Sequence, residues 1–113
     1  MNGAMAEYTA VPAFNCCKLP DNISFVGASE LAELALTVHA LERTRVNPGD
    51  TVVVFGAGPI GLLLVQLTQS MGAARSIVLD LSSPRGRKRL EVAEKLGAET
   101  IVVDQEDAVK RIM

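Results

Sequence analysis

Residues 51–61, Thr-Val-Val-Val-Phe-Gly-Ala-Gly-Pro-Ile-Gly, decide the fold of this 113-residue chain. The apolar run 51–55 predicts a strand, and the spacing Gly-x-Gly-x-x-Gly follows it directly. The apolar run 62–67 then predicts a helix. We expect Gly56 to permit a tight turn out of the strand, Gly58 to leave the backbone open, and Gly61 to let the helix pack close to the strand.

These residues form a candidate nucleotide site. The sequence Gly56, Ala57, Gly58, Pro59, Ile60 and Gly61 places the unpaired amides of a helix start where they can bind a diphosphate. Asp80 ends the next apolar run, where a carboxylate can accept both ribose hydroxyls and repels a 2′-phosphate, which favours NAD over NADP. The alternative is that Asp80 is a strand-end acid without a ligand.

The remainder of the C-terminal part alternates strands with helices. The pattern predicts strands over 51–55, 76–80 and 100–103, helices over 59–71 and 86–96, and a further helix starting at Asp104. The strands are solidly apolar, which is typical of a parallel sheet. The predicted class is therefore α/β, a β-α-β-α-β partial Rossmann sheet; a full sheet of this kind needs about three more strands.

The N-terminal part is less regular. Residues 5–12 and 14–19 predict two short extended segments, a β segment that contains the adjacent Cys16 and Cys17. A helix is expected over 28–45, capped by Ser24 or Ser29.

Composition limits the partners. The net charge of −2 argues against nucleic acid bound by bulk electrostatics. The chain has no apolar run near the roughly 20 residues needed to cross a membrane. Its first residues do not resemble a secretory signal, so we expect a cytoplasmic location.

Several motifs in order resemble the medium-chain, zinc-type alcohol dehydrogenase family, and most of all its sorbitol and threonine dehydrogenase branch. They are Gly-Ala-Met-Ala-Glu-Tyr (3–8), Lys-Leu-Pro-Asp-Asn (18–22), Val-His-Ala-Leu (38–41) and Asn-Pro-Gly-Asp followed by the glycine stretch (47–61). The resemblance implies that 1–26 end a catalytic, GroES-like domain segment. It likewise implies that 27–45 are a connecting helix and that 46–113 are the first half of an NAD(P)-binding domain.

The same resemblance implies an activity. Family members use zinc and a nicotinamide cofactor to move a hydride between an alcohol or polyol and the nicotinamide. Their zinc ligands correspond mostly to segments that this chain does not contain; Glu33 could serve only if the helix is shifted by one residue, and otherwise it is a solvated charge. We therefore expect the isolated chain to be inactive.

Two alternatives remain open. Arg85, with Arg87, Lys88 and Arg89, could neutralise a 2′-phosphate, which fits NADP or a zinc-independent, NADPH-using, quinone-reductase-like protein, or it could be a solvated helix start. The loop after Asp80 is longer by several residues than in the family. The second alternative is a truncated, non-catalytic dinucleotide-binding module, whose unpaired sheet edge predicts association or oligomerisation.

Overall fold

A computed structural model describes residues 4–113 of the chain. In chain order, a 3-10 turn at Ala13–Asn15 is followed by α1 (Phe25–Ala28), α2 (Leu31–Thr44), β1 (Thr51–Phe55), α3 (Pro59–Ser70), β2 (Arg75–Asp80), α4 (Pro84–Lys95), β3 (Glu99–Val102) and α5 (Ala108–Ile112). Within the described part, no helix is long and apolar enough to cross a membrane.

The three strands form one parallel sheet in the order β1-β2-β3. Thr51 pairs with Arg75 at one end of β1 and Phe55 with Leu79 at the other, while Asp80 lies opposite Val102 in β3. The predicted α/β class and the β-α-β-α-β order are confirmed. In a parallel sheet the carboxyl ends of all strands lie at one edge, so the segments after Phe55, Asp80 and Val102 are neighbours.

Alternate strand residues build two cores, because successive side chains point to opposite faces of a sheet. On one face, Val54 and Val78 pack with Val65 of α3 and with Leu90 and Ala93 of α4. On the other face, Ile77, Leu79 and Ile101 form a smaller cluster that Ala108 and Ile112 of α5 adjoin.

On the sheet face that carries Ile77, Leu79 and Ile101, few side chains cover β1. Phe55, at the carboxyl end of that strand, has 82% of its surface exposed. Among residues 4–113, β1 is an edge strand that pairs with β2 alone.

The N-terminal prediction was wrong in two respects. No strand of the described chain forms over 5–12 or 14–19; residues 13–15 instead make a 3-10 turn, and Cys16 and Cys17 are exposed. A short helix, α1 (Phe25–Ala28), comes first and is followed by α2 (Leu31–Thr44), which is the helix predicted over 28–45 with a later start. Ser24 caps the first, its Oγ accepting from the Gly27 amide at 3.1 Å.

The connection after Asp80 is also shorter than predicted. Only residues 81–83 separate β2 from α4, which begins at Pro84 rather than at 86. Ser83 caps this helix, so the extra residues form its first turn instead of a long loop. Near the C-terminus, the helix expected from Asp104 begins later, at Ala108, with Asp107 as its N-cap.

Candidate functional site

The glycine stretch makes the turn from β1 into α3. Gly56 has φ +97°, a left-handed backbone conformation that side chains disfavour, and its amide donates to the Leu79 carbonyl at 2.7 Å. Ala57, the next residue, is fully buried in the core. The chain therefore leaves the sheet by a turn that the neighbouring strand β2 holds in place.

Gly61 brings the helix against this turn. A Cβ atom at Gly61 would lie 2.0 Å from the Gly56 carbonyl oxygen and 3.4 Å from Cγ1 of Val54. A contact of 2.0 Å between heavy atoms is not possible, so α3 reaches its position only because residue 61 lacks a side chain.

Gly58 is different, because its surroundings are open. It is the N-cap of α3, with φ −69° and ψ −179°, a conformation open to any residue, and a Cβ atom there would meet nothing within 4 Å. Pro59 occupies the first helical position, where its missing amide hydrogen leaves no bond unmade. A side chain at position 58 would therefore point into open space.

The N-terminus of α4 provides an internal comparison. Both helices begin with a cap residue, a proline, a variable residue and a glycine, at 58–61 and at 83–86. A Cβ atom at Gly86 would lie 2.1 Å from the Leu81 carbonyl oxygen, which repeats the close approach at Gly61. Ser83, however, accepts the Gly86 amide on its Oγ at 3.0 Å.

The two helix starts therefore differ in one respect. Gly58 has no side chain to cap α3, and within residues 4–113 the amides of Ile60 and Gly61 have no hydrogen-bond acceptor. The first amide of α3 with a helical partner is that of Leu62, which donates to the Gly58 carbonyl at 2.9 Å. Unpaired amides at a helix start, together with the helix dipole, make a binding site for an anion.

Asp80 lies beside this turn. Its Oδ2 accepts the Ala57 amide at 3.0 Å, and its Oδ1 accepts the Leu81 amide at 2.8 Å. Each carboxylate oxygen has capacity for a second hydrogen bond, so Asp80 can still accept from hydroxyl groups of a ligand. The carboxylate thus faces the glycine turn and also helps to hold it.

The basic residues of α4 do not form one cluster. Arg85, Lys88 and Arg89 line an open groove of about 420 Å³ beside Leu62 of α3. Arg87 lies on the other side of α4, where its Nε donates to the Ser82 carbonyl at 3.1 Å. Of the four basic residues, Arg87 is therefore already engaged, and Arg85 is the exposed one nearest the start of the helix.

A hydrogen-bond network that the sequence did not predict lies next to Asp80. Asp104, just after β3, accepts the Ser82 amide on Oδ1 at 2.8 Å and the Ser82 hydroxyl on Oδ2 at 2.5 Å. The hydrogen bond from Ser82 is the main reason that the pKa of Asp104 lies below its usual range. The sequence contained a signal for this contact, because polar residues that follow neighbouring parallel strands meet at one edge of the sheet.

A zinc ion finds no donor set in this part of the chain. Glu33 lies half-buried in the first turn of α2, and no group of three His, Cys, Asp or Glu side chains within residues 4–113 is placed to hold a metal. His39 is exposed, with Nδ1 at 3.9 Å from Oε2 of Glu42. The described residues therefore do not fit a zinc ion.

Comparison with known proteins identifies the family. Over 97 residues the chain is 40% identical to probable D-xylulose reductase A of Emericella nidulans, an alignment that covers 86% of this chain and 26% of that protein. The chain belongs to the medium-chain, zinc-type alcohol dehydrogenase family. A scan against protein-family models finds no match.

Solved structures agree with this dehydrogenase relationship. Galactitol-1-phosphate dehydrogenase of Escherichia coli superimposes with a TM-score of 0.84 at 27% identity, over 96% of this chain and 31% of that one. An alcohol dehydrogenase of Escherichia coli CFT073, solved with NADH, gives a TM-score of 0.80 at 30% identity, over 89% and 29%. The chain spans about a quarter to a third of the length of these relatives.

Proposed function

We propose that the chain binds NAD through residues 56–61 and Asp80, as the first half of a dehydrogenase cofactor domain that spans 46–113. The observation that carries the proposal is the uncapped start of α3, where Gly58 leaves the Ile60 and Gly61 amides open beside Asp80. A diphosphate oxygen at this position gains charge-assisted hydrogen bonds and the favourable end of the helix dipole. Residues 27–45 then serve as the connecting helix and 1–26 as the end of the catalytic segment.

In this proposal Asp80 distinguishes an unmodified adenosine ribose from one that carries a 2′-phosphate. Its free lone pairs accept the hydroxyls of the adenosine ribose, while its charge repels a 2′-phosphate. NAD is therefore the preferred cofactor. The alternative is an NADPH-using, zinc-independent protein of the quinone-reductase type. Arg85 supports it, because an exposed guanidinium at the start of α4 can bind a 2′-phosphate.

The names of the relatives support a proposal for the substrate class. One is named for D-xylulose and another for galactitol-1-phosphate, so we propose a small alcohol or polyol as the hydride donor or acceptor. When bound, the nicotinamide ring accepts or releases the hydride. This chain's residues bind and orient the cofactor in that reaction, and none of them is assigned to the alcohol. We place the reaction in the cytoplasm.

A binding titration tests the proposal. The purified chain is titrated with NADH and, separately, with NADPH, and heat or nicotinamide fluorescence is recorded. We expect saturable binding of NADH and weaker binding of NADPH. Absence of NADH binding up to millimolar concentration would overturn the cofactor assignment, and tighter NADPH binding would favour the alternative. Alcohol and polyol oxidation by the same sample is expected to be undetectable.

Association of the chain with itself or with a longer relative is a second candidate function. The free edge of β1 adjoins an apolar groove of about 250 Å³, lined on one side by Ala40, Leu41 and Thr44 of α2 and on the other by residues 52–55. The strand has no charge or proline to discourage pairing. We propose that this edge causes oligomerisation, and a single monomeric species in sedimentation velocity would count against it.

A further inference from the structure

The loops after β2 and β3 are joined by a hydrogen-bond network around Ser82. Asp104 accepts both the amide and the hydroxyl of Ser82. On the other side, the Ser82 carbonyl accepts from Nε of Arg87 at 3.1 Å, and Nη2 of Arg87 donates to Oε1 of Gln105 at 3.0 Å. Every polar backbone and side-chain group of Ser82 is therefore engaged.

This network lies directly beside Asp80. In the parallel register Asp80 is opposite Val102, and its carbonyl oxygen accepts the Val103 amide at 3.1 Å. Asp104 follows Val103 and contacts Ser82, so two carboxylates border the same short connection. The hydrogen bond from Ser82 lowers the pKa of Asp104, which is therefore ionised at neutral pH.

The chemistry of a ribose phosphate gives this arrangement a consequence. A 2′-phosphate needs several amide, hydroxyl or guanidinium donors close to the ribose. Among the donors that follow Asp80, the amide and hydroxyl of Ser82 donate to Asp104, and Nε and Nη2 of Arg87 donate to the Ser82 carbonyl and to Gln105. A phosphate at this position would meet two negative charges and would have to break existing bonds.

We propose that Asp104 is a specificity-determining residue, which holds the donors of Ser82 and adds a second negative charge beside Asp80. The inference rests on the proposed binding of a dinucleotide at Asp80 and names the part of that site that rejects a phosphorylated ribose. In this proposal Asp104 acts by holding Ser82 and by the electrostatic repulsion of its charge, without contacting the cofactor. It lies 24 positions after Asp80 in sequence, and only the pairing of β2 with β3 brings it there.

Replacing the charge tests the proposal. In Asp104→Asn the single amide oxygen can still accept one of the two hydrogen bonds from Ser82, so the loop keeps a partner while the charge is lost. Asp104→Ser is the second variant, should the first not fold. Asp21→Asn is the matched control, because Asp21 is an exposed acid in the N-terminal part whose ionic contact is with Lys18 at 3.7 Å. Dissociation constants for NADH and NADPH are measured for all forms by calorimetry, and folding is checked by thermal unfolding.

In Asp104→Asn we expect the ratio of the NADPH to the NADH dissociation constant to fall by about fivefold or more. NADPH should bind more tightly, and the affinity for NADH should be nearly unchanged. The difference between the wild type and Asp104→Asn in this ratio should be smaller in about 0.5 M salt, because salt screens exposed charges. An unchanged ratio in a folded variant, or the same change in Asp21→Asn, overturns the inference while leaving the dinucleotide proposal intact. If the wild-type chain binds neither cofactor, the dinucleotide proposal itself fails and this inference fails with it.

Discussion

Placing a serine at position 58 should block the proposed phosphate site while leaving the fold intact. Gly58 has φ −69° and ψ −179°, close to Ser24 (φ −71°, ψ 155°) and Ser83 (φ −57°, ψ 153°), which both cap helices. Those two side chains accept the amide three residues on at 3.1 and 3.0 Å. A serine in Gly58→Ser can do the same to the Gly61 amide without meeting any atom within 4 Å of its Cβ.

The effects on stability and on binding should have opposite signs. A serine cap is better than a glycine cap by a few tenths of a kcal/mol, and loss of glycine's freedom in the unfolded chain adds about 0.4–1 kcal/mol. The melting temperature should therefore rise by about 2–5 °C. The dinucleotide loses a charge-assisted hydrogen bond and meets a side chain, which should cost about 1.5–3 kcal/mol, or at least about tenfold in NADH affinity.

Calorimetric titration with NADH and a thermal melt of the same sample measure both quantities. Ser83→Gly is the reciprocal control, because it turns the start of α4 into a copy of the start of α3. This control should lose a few tenths of a kcal/mol from the weaker cap and about 0.4–1 kcal/mol more from the added freedom of the unfolded chain, and it should keep its NADH affinity. The reasoning is refuted if Gly58→Ser binds NADH as tightly as the wild type in a folded sample.

Three further outcomes follow from the same geometry. Gly61→Ala should destabilise the chain by about 1–3 kcal/mol in urea titration, because its Cβ would lie 2.0 Å from the Gly56 carbonyl oxygen; an unchanged midpoint would show that the approach is not tight. Asp80→Asn should weaken NADH binding by about tenfold and reduce the preference over NADPH, as judged by paired titrations, and equal losses for both cofactors would contradict it. A hydrogen bond from Ser82 lowers the pKa of Asp104, and one from Arg75 lowers the pKa of Glu99. The two ionised carboxylates therefore stabilise the fold fully above the usual carboxyl pKa near 4, and this contribution is lost as the pH falls below that value. Urea midpoints that stay constant between about pH 6 and pH 3 would contradict this expectation.

Local patterns in the sequence predicted the elements of the nucleotide-binding half well. The strand over 51–55 is confirmed residue for residue, and the helix over 59–71 ends one residue earlier than predicted. Both elements are encoded by their own residues: a β-branched apolar run for the strand, and a proline at the first helical position followed by an apolar stripe for the helix. The glycines between them permit the turn by their own backbone freedom, and Leu79 and Asp80 of β2 then hold it in place.

The prediction was wrong where an element depends on a distant partner. Residues 5–12 and 14–19 have an extended pattern, but a strand exists only beside another strand, and the described chain places none there. The predicted start of α4 at residue 86 is wrong, because Ser83 caps the helix and the first turn begins at Pro84. Its role as a cap was visible in the sequence, since Ser-Pro-x-Gly at 83–86 parallels Gly-Pro-x-Gly at 58–61.

By itself, the sequence determined the parallel α/β half-sheet, the bend at Gly56 and the helix start at Pro59, because these follow from local backbone preferences and hydrophobic periodicity. Tertiary structure alone decided which groups meet at the carboxyl edge of the sheet. It placed Asp80 on the Ala57 amide, bound Ser82 to Asp104 and brought Arg87 to Gln105. The physical reason is that parallel pairing brings together residues that are far apart in the chain, and no local pattern records the register in which the strands pair.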